Sequence, residues 1–464
     1  MKPLTIFCFV FAVCCPTLAQ DRNTVTTKDD ATAITISGGI DMKYVYRGGL
    51  VSEAMRNINS GSDGAGGSGS ISGQNFVQGR INLKFDVLLK EDINAILEIE
   101  NRAIDGDANG NGIIDENDNL VFADGPIRPE FKQVYVKFNN FLIDNFSLKF
   151  GSQGLAYKLR PAGEPFIIDL NEAESAYSLY NTDLTALRNS TDRDVLRPVG
   201  LKGRYDGDWW AMDLFFLRTI QRRNNVDSES LHGVFLEALP TPKLSLTGTI
   251  ANISGEFSGS NLWIVGSGVD YNISEEVELF GEFYYELGGI RSGVQKQDAF
   301  GTNFGARYVY MEKLWLETSY WYLSGDKSPT DGEDNSFQSY EGIDQFLIVE
   351  ENELGLDIDT NYNAIKVSGG YGPLTIGKEK NLLARIDIGF FNFNEPLYGP
   401  TGTKFISSQN IGTEVDVTLD CEYSQNTTFT IKAAYLFGSD TLEKLTITRT
   451  DSTFMLYVGF KVLF

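Results

Sequence analysis

Apolar and polar residues alternate along most of the chain. In the segment from Ile81 to Val87 every second residue is apolar, and each residue between is polar or charged. The same alternation runs from Val277 to Phe283 and from Val415 to Tyr423. A period of two places apolar side chains on one face of a β-strand and polar side chains on the other. The pattern therefore predicts strands that separate an apolar phase from a wet one.

Eighteen segments of this kind follow one another along the chain. Their centres lie near residues 41, 81, 96, 135, 148, 201, 213, 235, 248, 267, 282, 305, 318, 366, 387, 418, 432 and 459. Sixteen strands is the alternative count, because boundaries read from a sequence shift by a few residues.

The predicted connections alternate between short and long. The short ones lie near Lys90–Asp92, Asp206–Asp208, Pro240–Pro242, Met311–Lys313 and Ser424–Asn426. The longer ones cover 48–72, 102–129, 153–194, 324–359, 394–411 and 439–450. This parity predicts an all-β fold, a transmembrane up-and-down antiparallel β-barrel with short periplasmic turns and long extracellular loops.

Both ends of the sequence agree with export to a bacterial outer membrane. Residues 1–19 have a charged start at Lys2, an apolar stretch and a small-residue site before Gln20, which predicts a signal peptide. We expect a short segment over 20–32 and one barrel domain over 33–464. The last strand ends at Phe464, and its terminal aromatic resembles the signature that such barrels present to their assembly machinery. The expected surroundings are outer-membrane lipid and lipopolysaccharide.

Charge and composition exclude several classes of function. Removing Lys2 with the signal leaves 38 basic residues (39 minus 1) against 63 acidic ones, a balance of −25, which argues against nucleic-acid binding. Cys421 is the single cysteine after residue 15, so no internal disulfide is expected. The single histidine, His232, has no serine two positions on, and we predict no enzymatic activity.

Charged residues out of phase with the apolar set predict what the barrel interior contains. The first six strands supply mainly bases, and later strands supply mainly acids. The predicted pore-lining residues are Lys43, Arg80, Lys84, Lys149, Lys202, Arg204, Glu278, Glu282, Glu286, Glu317, Arg385, Asp387, Asp416 and Asp420. So many ions require water, because burying an unpaired ion costs several kcal/mol. We therefore predict a channel for passive diffusion of small hydrophilic solutes, with a preference for cations that follows from the acidic excess.

Two long connections bear on the width of this channel. The segment 153–194, which contains Arg160, Glu164, Asp169, Glu172 and Glu174, either folds inward as a constriction or caps the barrel from outside. The acidic connection 324–359 is expected to be solvated, and the alternative is that it binds divalent ions or repels anions. A barrel sealed by such segments would be a surface adhesin or structural anchor, which is the alternative function.

The connection 102–129 contains a twelve-residue calcium motif. Its predicted ligands are Asp107, Asn109, Asn111, the carbonyl of Ile113, Asp115 and Asp118, with Gly112 at the sixth position. A second register, from Asp105 to Glu116, places a glycine where the motif requires an apolar residue. We predict a structural Ca²⁺ ion that orders this extracellular loop.

Two stretches resemble the alginate-export-like family of outer-membrane barrels. Tyr320-Trp-Tyr-Leu-Ser-Gly-Asp326 is followed by Asp331-Gly332 and Phe337, and Leu148-Lys-Phe-Gly-Ser-Gln153 is followed by Tyr157 and Arg160. The resemblance implies a monomeric 18-stranded channel and an exopolysaccharide as an alternative cargo. Ser152 stands where that family typically has arginine, so one basic pore contact is missing.

Overall fold

The computed structural model describes the chain over the strands and most short turns. The described residues are 23–26, 33–48, 74–90, 92–107, 130–160, 168–169, 198–221, 228–255, 261–291, 295–311, 313–328, 331–337, 345–350, 358, 360–376, 380–398, 404–406, 409–439, 441 and 452–464.

Eighteen long strands form the wall within these ranges, as the sequence pattern predicts. They are β1 Ala33–Arg47, β2 Gln74–Lys90, β3 Ile93–Asp107, β4 Glu130–Phe138, β5 Phe146–Ser152, β6 Val199–Asp206, β7 Trp210–Gln221, β8 Ser228–Thr241, β9 Leu244–Gly255, β10 Asn261–Asn272, β11 Val277–Arg291, β12 Gln295–Tyr310, β13 Leu314–Leu323, β14 Tyr362–Ile376, β15 Lys380–Phe393, β16 Asn410–Ser424, β17 Thr427–Gly438 and β18 Ser452–Leu463. Each predicted centre lies inside one of them.

Each strand pairs antiparallel with its neighbours in sequence, and the sheet closes on itself. The closing pair is β1 with β18, in a register that runs from Gly39 opposite Leu463 to Arg47 opposite Met455. Gly38 and Phe464 exchange two further main-chain hydrogen bonds. Closure gives every strand of the wall two hydrogen-bonded neighbours, as a strand wall in lipid requires.

Short strands supplement the wall. Asn23–Thr26 pairs with the start of β1, so the segment 20–32 contains a strand that the sequence does not predict. The others are Ala156–Tyr157, Ile168–Asp169, Glu333–Asp334, Leu397–Tyr398 and Lys404–Ile406. One long connection is also shorter than predicted, because β3 continues to Asp107 and the loop expected from residue 102 begins after it.

The two faces of the wall differ as the alternation predicts. Large apolar side chains, among them Ile81, Phe216, Ile250 and Leu316, are exposed on the outer face. Rings that mix an apolar body with a polar edge lie near strand ends, including Trp263, Tyr271, Tyr308, Tyr310 and Tyr423. Such rings favour the membrane–water interface. Among the described residues no helix is long and apolar enough to cross a membrane.

The interior departs from a uniformly polar lumen. Toward the long loops many inward-facing wall residues are apolar, as at Leu217, Leu262, Leu323, Phe391 and Leu436, and they form one buried cluster with segments folded in from the loops. The charged inward-facing residues lie mainly in the half nearer the short turns. Burial of apolar area inside the barrel stabilises this loop-side half, at about 25 cal/mol per Å².

Candidate permeation pathway

Basic side chains line the interior of the first six strands. Lys137, Lys149 and Lys202 stand opposite one another on β4, β5 and β6, at one level of the wall. Lys149 lies over the ring of Tyr135 at 4.8 Å, and Lys202 pairs with Asp213 at 2.7 Å. The other predicted bases of this wall, Lys43, Arg80, Lys84 and Arg204, are half-buried on the same interior face. Nearby carboxylates neutralise some of these bases, as Glu100 does at 3.7 Å from Arg80.

Acidic side chains line the interior from β10 to β16. Glu278 and Glu317 are half-buried near the short turns, and Asp420 is half-buried and accepts a hydrogen bond from Thr430 at 2.6 Å. The remaining predicted acids of this wall are buried: Glu282, Glu286, Asp387 and Asp416. Arg385 pairs with Asp387 at 2.7 Å. The structure therefore brings the predicted pore-lining residues to one surface, but it divides the acidic ones into accessible and covered groups.

The connection after β5 turns into the barrel. Gln153 is buried and donates a hydrogen bond to the carbonyl of Gly200, and Leu155, Tyr157 and Leu159 are buried in turn. Tyr157 stacks on Phe235 with ring centroids 4.3 Å apart. The described part of the predicted constriction, residues 153–160, is thus an inner segment, which we call the first inner segment. Glu164, Glu172 and Glu174 lie outside the described residues, and of Asp169 the backbone alone is described.

Small residues on β10 allow this close approach. The Leu159 carbonyl accepts a hydrogen bond from Thr247, and a Cβ placed on Gly268 would fall 2.1 Å from the same oxygen. A Cβ on Gly266 would meet the Leu159 side chain at 2.9 Å. Glycine at these positions therefore lets the segment lie directly on the wall.

Arg160 ends the described part of this segment within a ring of carboxylates. Its guanidinium contacts both oxygens of Glu317, at 3.4 and 3.3 Å. The same group lies 3.3 Å from Asp270 and 3.6 Å from Glu278. It also stacks on Phe280, with 3.4 Å between the guanidinium carbon and the ring centroid. This one cation therefore neutralises much of the acidic wall of β10–β13.

A second inner segment, residues 345–350, comes from the connection between β13 and β14. Its main-chain N–H groups donate to wall carboxylates: Leu347 to Asp416 at 2.9 Å, and Ile348 and Val349 to the two oxygens of Glu414 at 2.6 and 2.8 Å. Carboxylate acceptors strengthen such bonds roughly twofold over neutral ones. The wall thus holds this segment through its backbone.

A fully buried ion pair also holds the second inner segment against the wall. Lys366 and Glu350 contact each other with both side chains at 0% exposure, and Tyr362 donates to Glu350 at 2.6 Å. Lys366 also lies 3.9 Å from the centre of the Trp321 ring. The expectation that connection 324–359 is solvated is therefore wrong for Glu350. The apolar run Phe346–Val349 was the sequence signal that this part of an acidic loop is buried.

The structure also places Asp326 of this connection and the first residue of the predicted calcium motif. Asp326 remains half-buried at the rim, where burial raises the pKa of its carboxyl group. Of the predicted calcium ligands, Asp107 ends β3, and Asn109, Asn111, Ile113, Asp115 and Asp118 lie outside the described residues. Within the described ranges no cluster of three metal-ligating side chains is found.

Comparison with known proteins supports the fold. No family model matches the chain. A stretch of 60 residues is 38% identical to outer membrane protein YfaZ of Escherichia coli (strain K12), and it covers 13% of this chain and 32% of YfaZ, so the match spans about a third of that relative. Outer membrane protein OprD of Pseudomonas aeruginosa superimposes with a TM-score of 0.50 at 10% identity, over 93% of each chain.

Two further Pseudomonas aeruginosa structures have the same architecture. OpdQ has a TM-score of 0.51 at 11% identity, over 93% of this chain and 98% of OpdQ. OccK8 (OprE) has a TM-score of 0.51 at 11% identity, over 95% of this chain and 99% of OccK8. The chain is an outer-membrane β-barrel. At these identities the likeness shows the fold, and function must be argued from the interior.

Proposed function

We propose that this barrel is a porin-type channel for passive diffusion of small hydrophilic solutes. The observation that carries the proposal is the interior of the half nearer the short turns, where rows of bases and acids face each other across a closed wall of eighteen strands. Half-buried ions such as Lys84, Lys149, Glu278 and Asp420 require water beside them. A barrel of this strand number is wide enough for a hydrated path.

The opposed rows favour hydrophilic solutes over apolar ones. Bases on β1, β2 and β4–β6 and acids on β10–β16 create a field across the lumen, and ordered water in that field is costly for an apolar solute to displace. The acidic excess predicted from the sequence favours cations. We propose that this preference is weak, because Arg160 and the second inner segment engage Glu317, Glu414 and Asp416.

The remaining parts of the proposal concern the outer rim and the cargo. We propose that Ca²⁺ orders the loop that begins after Asp107, on the support of the ligand spacing alone. An exopolysaccharide cargo is the alternative suggested by the alginate-export-like motifs, and Tyr157 and Arg160 of those motifs belong to the first inner segment. A non-conducting adhesin or anchor is the second alternative, and the buried apolar cluster of the loop-side half supports it.

Conductance of the refolded chain in a planar bilayer, under a KCl gradient with and without Ca²⁺, tests these proposals. Discrete steps with a reversal potential slightly biased to K⁺ are expected, and detergent carrier without protein is the control. A fully inserted barrel that passes no current would replace the channel with the anchor. Block of the current by micromolar alginate oligomers would favour the polysaccharide cargo.

A further inference from the structure

The Arg160 cluster suggests a residue that sets ion selectivity. We infer that Arg160 is the specificity-determining residue of the pathway: it masks the carboxylates of β10–β13 and fastens the first inner segment over them. The inference rests on the proposed channel function. Its physical basis is that a residue of the first inner segment supplies the counter-charge for carboxylates fixed on the wall strands.

The contacts of Arg160 are directional as well as electrostatic. Two guanidinium nitrogens lie on the two oxygens of Glu317, a fork that a lysine ammonium does not reproduce. The stack on Phe280 fixes the plane of the fork. The Arg160 side chain is 5% exposed, so its position is set by these partners and by the Leu159 attachment one residue earlier.

The carboxylates beneath Arg160 are partly open to solvent. The side chains of Asp270, Glu278 and Glu317 are 10%, 19% and 18% exposed with Arg160 in place. Removing the guanidinium would open them further to ions in the lumen. Arg307 stands between Glu278 and Glu317 in the strand register and stacks on Trp315 at 4.8 Å, so it compensates part of this charge but not all.

The charges around Arg160 determine in which direction its loss changes ion permeability. Arg160 and Arg307 together face the three acids of this patch with the most exposed area, Asp270, Glu278 and Glu317, which leaves these five groups with one uncompensated negative charge. Glu282 also lies near Arg160, but at 4% exposure it is covered from ions in the lumen. Loss of Arg160 leaves two such charges and releases the end of the segment that covers them. Permeability for K⁺ relative to Cl⁻ should therefore rise, and conductance should rise because the lumen widens.

The test compares Arg160→Gln with Lys158→Gln in the same bilayer experiment. Lys158 is exposed and lies in the same segment, so its variant removes one positive charge without releasing the carboxylate cluster. We expect Arg160→Gln to raise the K⁺/Cl⁻ permeability ratio roughly twofold or more and to increase single-channel conductance, with a clearly smaller change for Lys158→Gln. The double variant Arg160→Gln/Glu317→Gln should return the ratio toward wild type.

The outcomes separate this inference from the proposed function. A wild-type barrel that inserts but passes no current overturns both. Wild-type current with equal ratios for Arg160→Gln and Lys158→Gln overturns the inference alone. If Arg160→Gln does not insert, Arg160→Lys is measured in its place. This variant keeps the positive charge and loses the two-pronged contact with Glu317, so we expect an unchanged K⁺/Cl⁻ permeability ratio with noisier current. A trace identical to wild type would overturn the role of the fork.

Discussion

The two inner segments are attached to the wall by opposite chemistry. The first, 153–160, brings a cation to carboxylates that stay partly exposed. The second, 345–350, brings backbone N–H groups and Glu350 to a dry site, where Lys366 and Glu350 are 0% exposed. Solvent screens the first attachment and leaves the second unscreened. The first is therefore suited to a lumen that tunes ion passage, and the second to a fixed filling of the loop-side half.

The largest expected effect is the loss of one partner of the dry pair. Lys366→Met leaves the Glu350 carboxylate buried without its counter-ion, which should lower the free energy of unfolding by about 3–5 kcal/mol. Denaturant unfolding of the barrel in detergent micelles measures it. Lys296→Met is the matched control, because Lys296 and Glu333 form an exposed pair, with 63% and 50% exposure, worth about 0–1 kcal/mol.

A double variant sharpens this result. Lys366→Met/Glu350→Gln removes the charge of both partners of this pair and should recover a large part of the lost stability. If Lys366→Met and Lys296→Met lower the free energy of unfolding equally, the Lys366–Glu350 pair is screened by water. The two inner segments would then not differ in this respect.

The next largest effect concerns the hydrogen bonds that Glu414 of β16 accepts from the backbone of the second inner segment. Glu414→Gln replaces a two-oxygen acceptor with one acceptor and one donor, so one of the N–H groups of Ile348 and Val349 is left unpaired. We expect the docking of 345–350 to weaken by about 1.5–3 kcal/mol. A cysteine introduced at position 348, in a Cys421→Ser background, should then react faster with a water-soluble thiol reagent.

Asp420→Asn is the matched control for Glu414→Gln. It removes the same charge from the same strand, and Asp420 contacts Thr430 and not the inner segment. Equal labelling rates in the two variants would show that wall charge, and not the hydrogen bonds of Glu414, holds the segment.

The wall was predictable from the sequence, and the attachments were not. Alternation fixes which face each strand residue occupies, so the strand centres and the interior position of Glu278 or Lys149 follow from local pattern. The attachments join residues far apart in the chain, such as Arg160 with Glu317, 157 positions on, and Ile348 with Glu414, 66 positions on. Local periodicity carries no information on such pairs, so the burial of Glu350 was missed.

A smaller effect is expected where the first inner segment touches β10. Gly268→Val places methyl groups on the Leu159 carbonyl, and overpacking of this kind costs about 1–3 kcal/mol. Displacement of the segment should also raise conductance. Gly248→Val on the adjacent strand is the control, because the nearest atom to its Cβ is the Gly266 oxygen at 3.7 Å. Equal unfolding midpoints for the two variants would contradict the close approach.

The smallest effect tests whether accessible and covered carboxylates differ in their influence on ions. Glu278→Gln/Asp420→Asn neutralises two half-buried acids, and it should lower the K⁺/Cl⁻ permeability ratio by roughly a third to a half, since screening limits each charge. Glu282→Gln/Asp416→Asn neutralises two buried acids, at 4% and 6% exposure, and it should change the ratio less. Reversal potentials in one KCl gradient compare both pairs with wild type. Equal shifts in reversal potential would mean that buried and half-buried carboxylates act equally on permeating ions. The difference between the two inner segments would then have no effect on permeation.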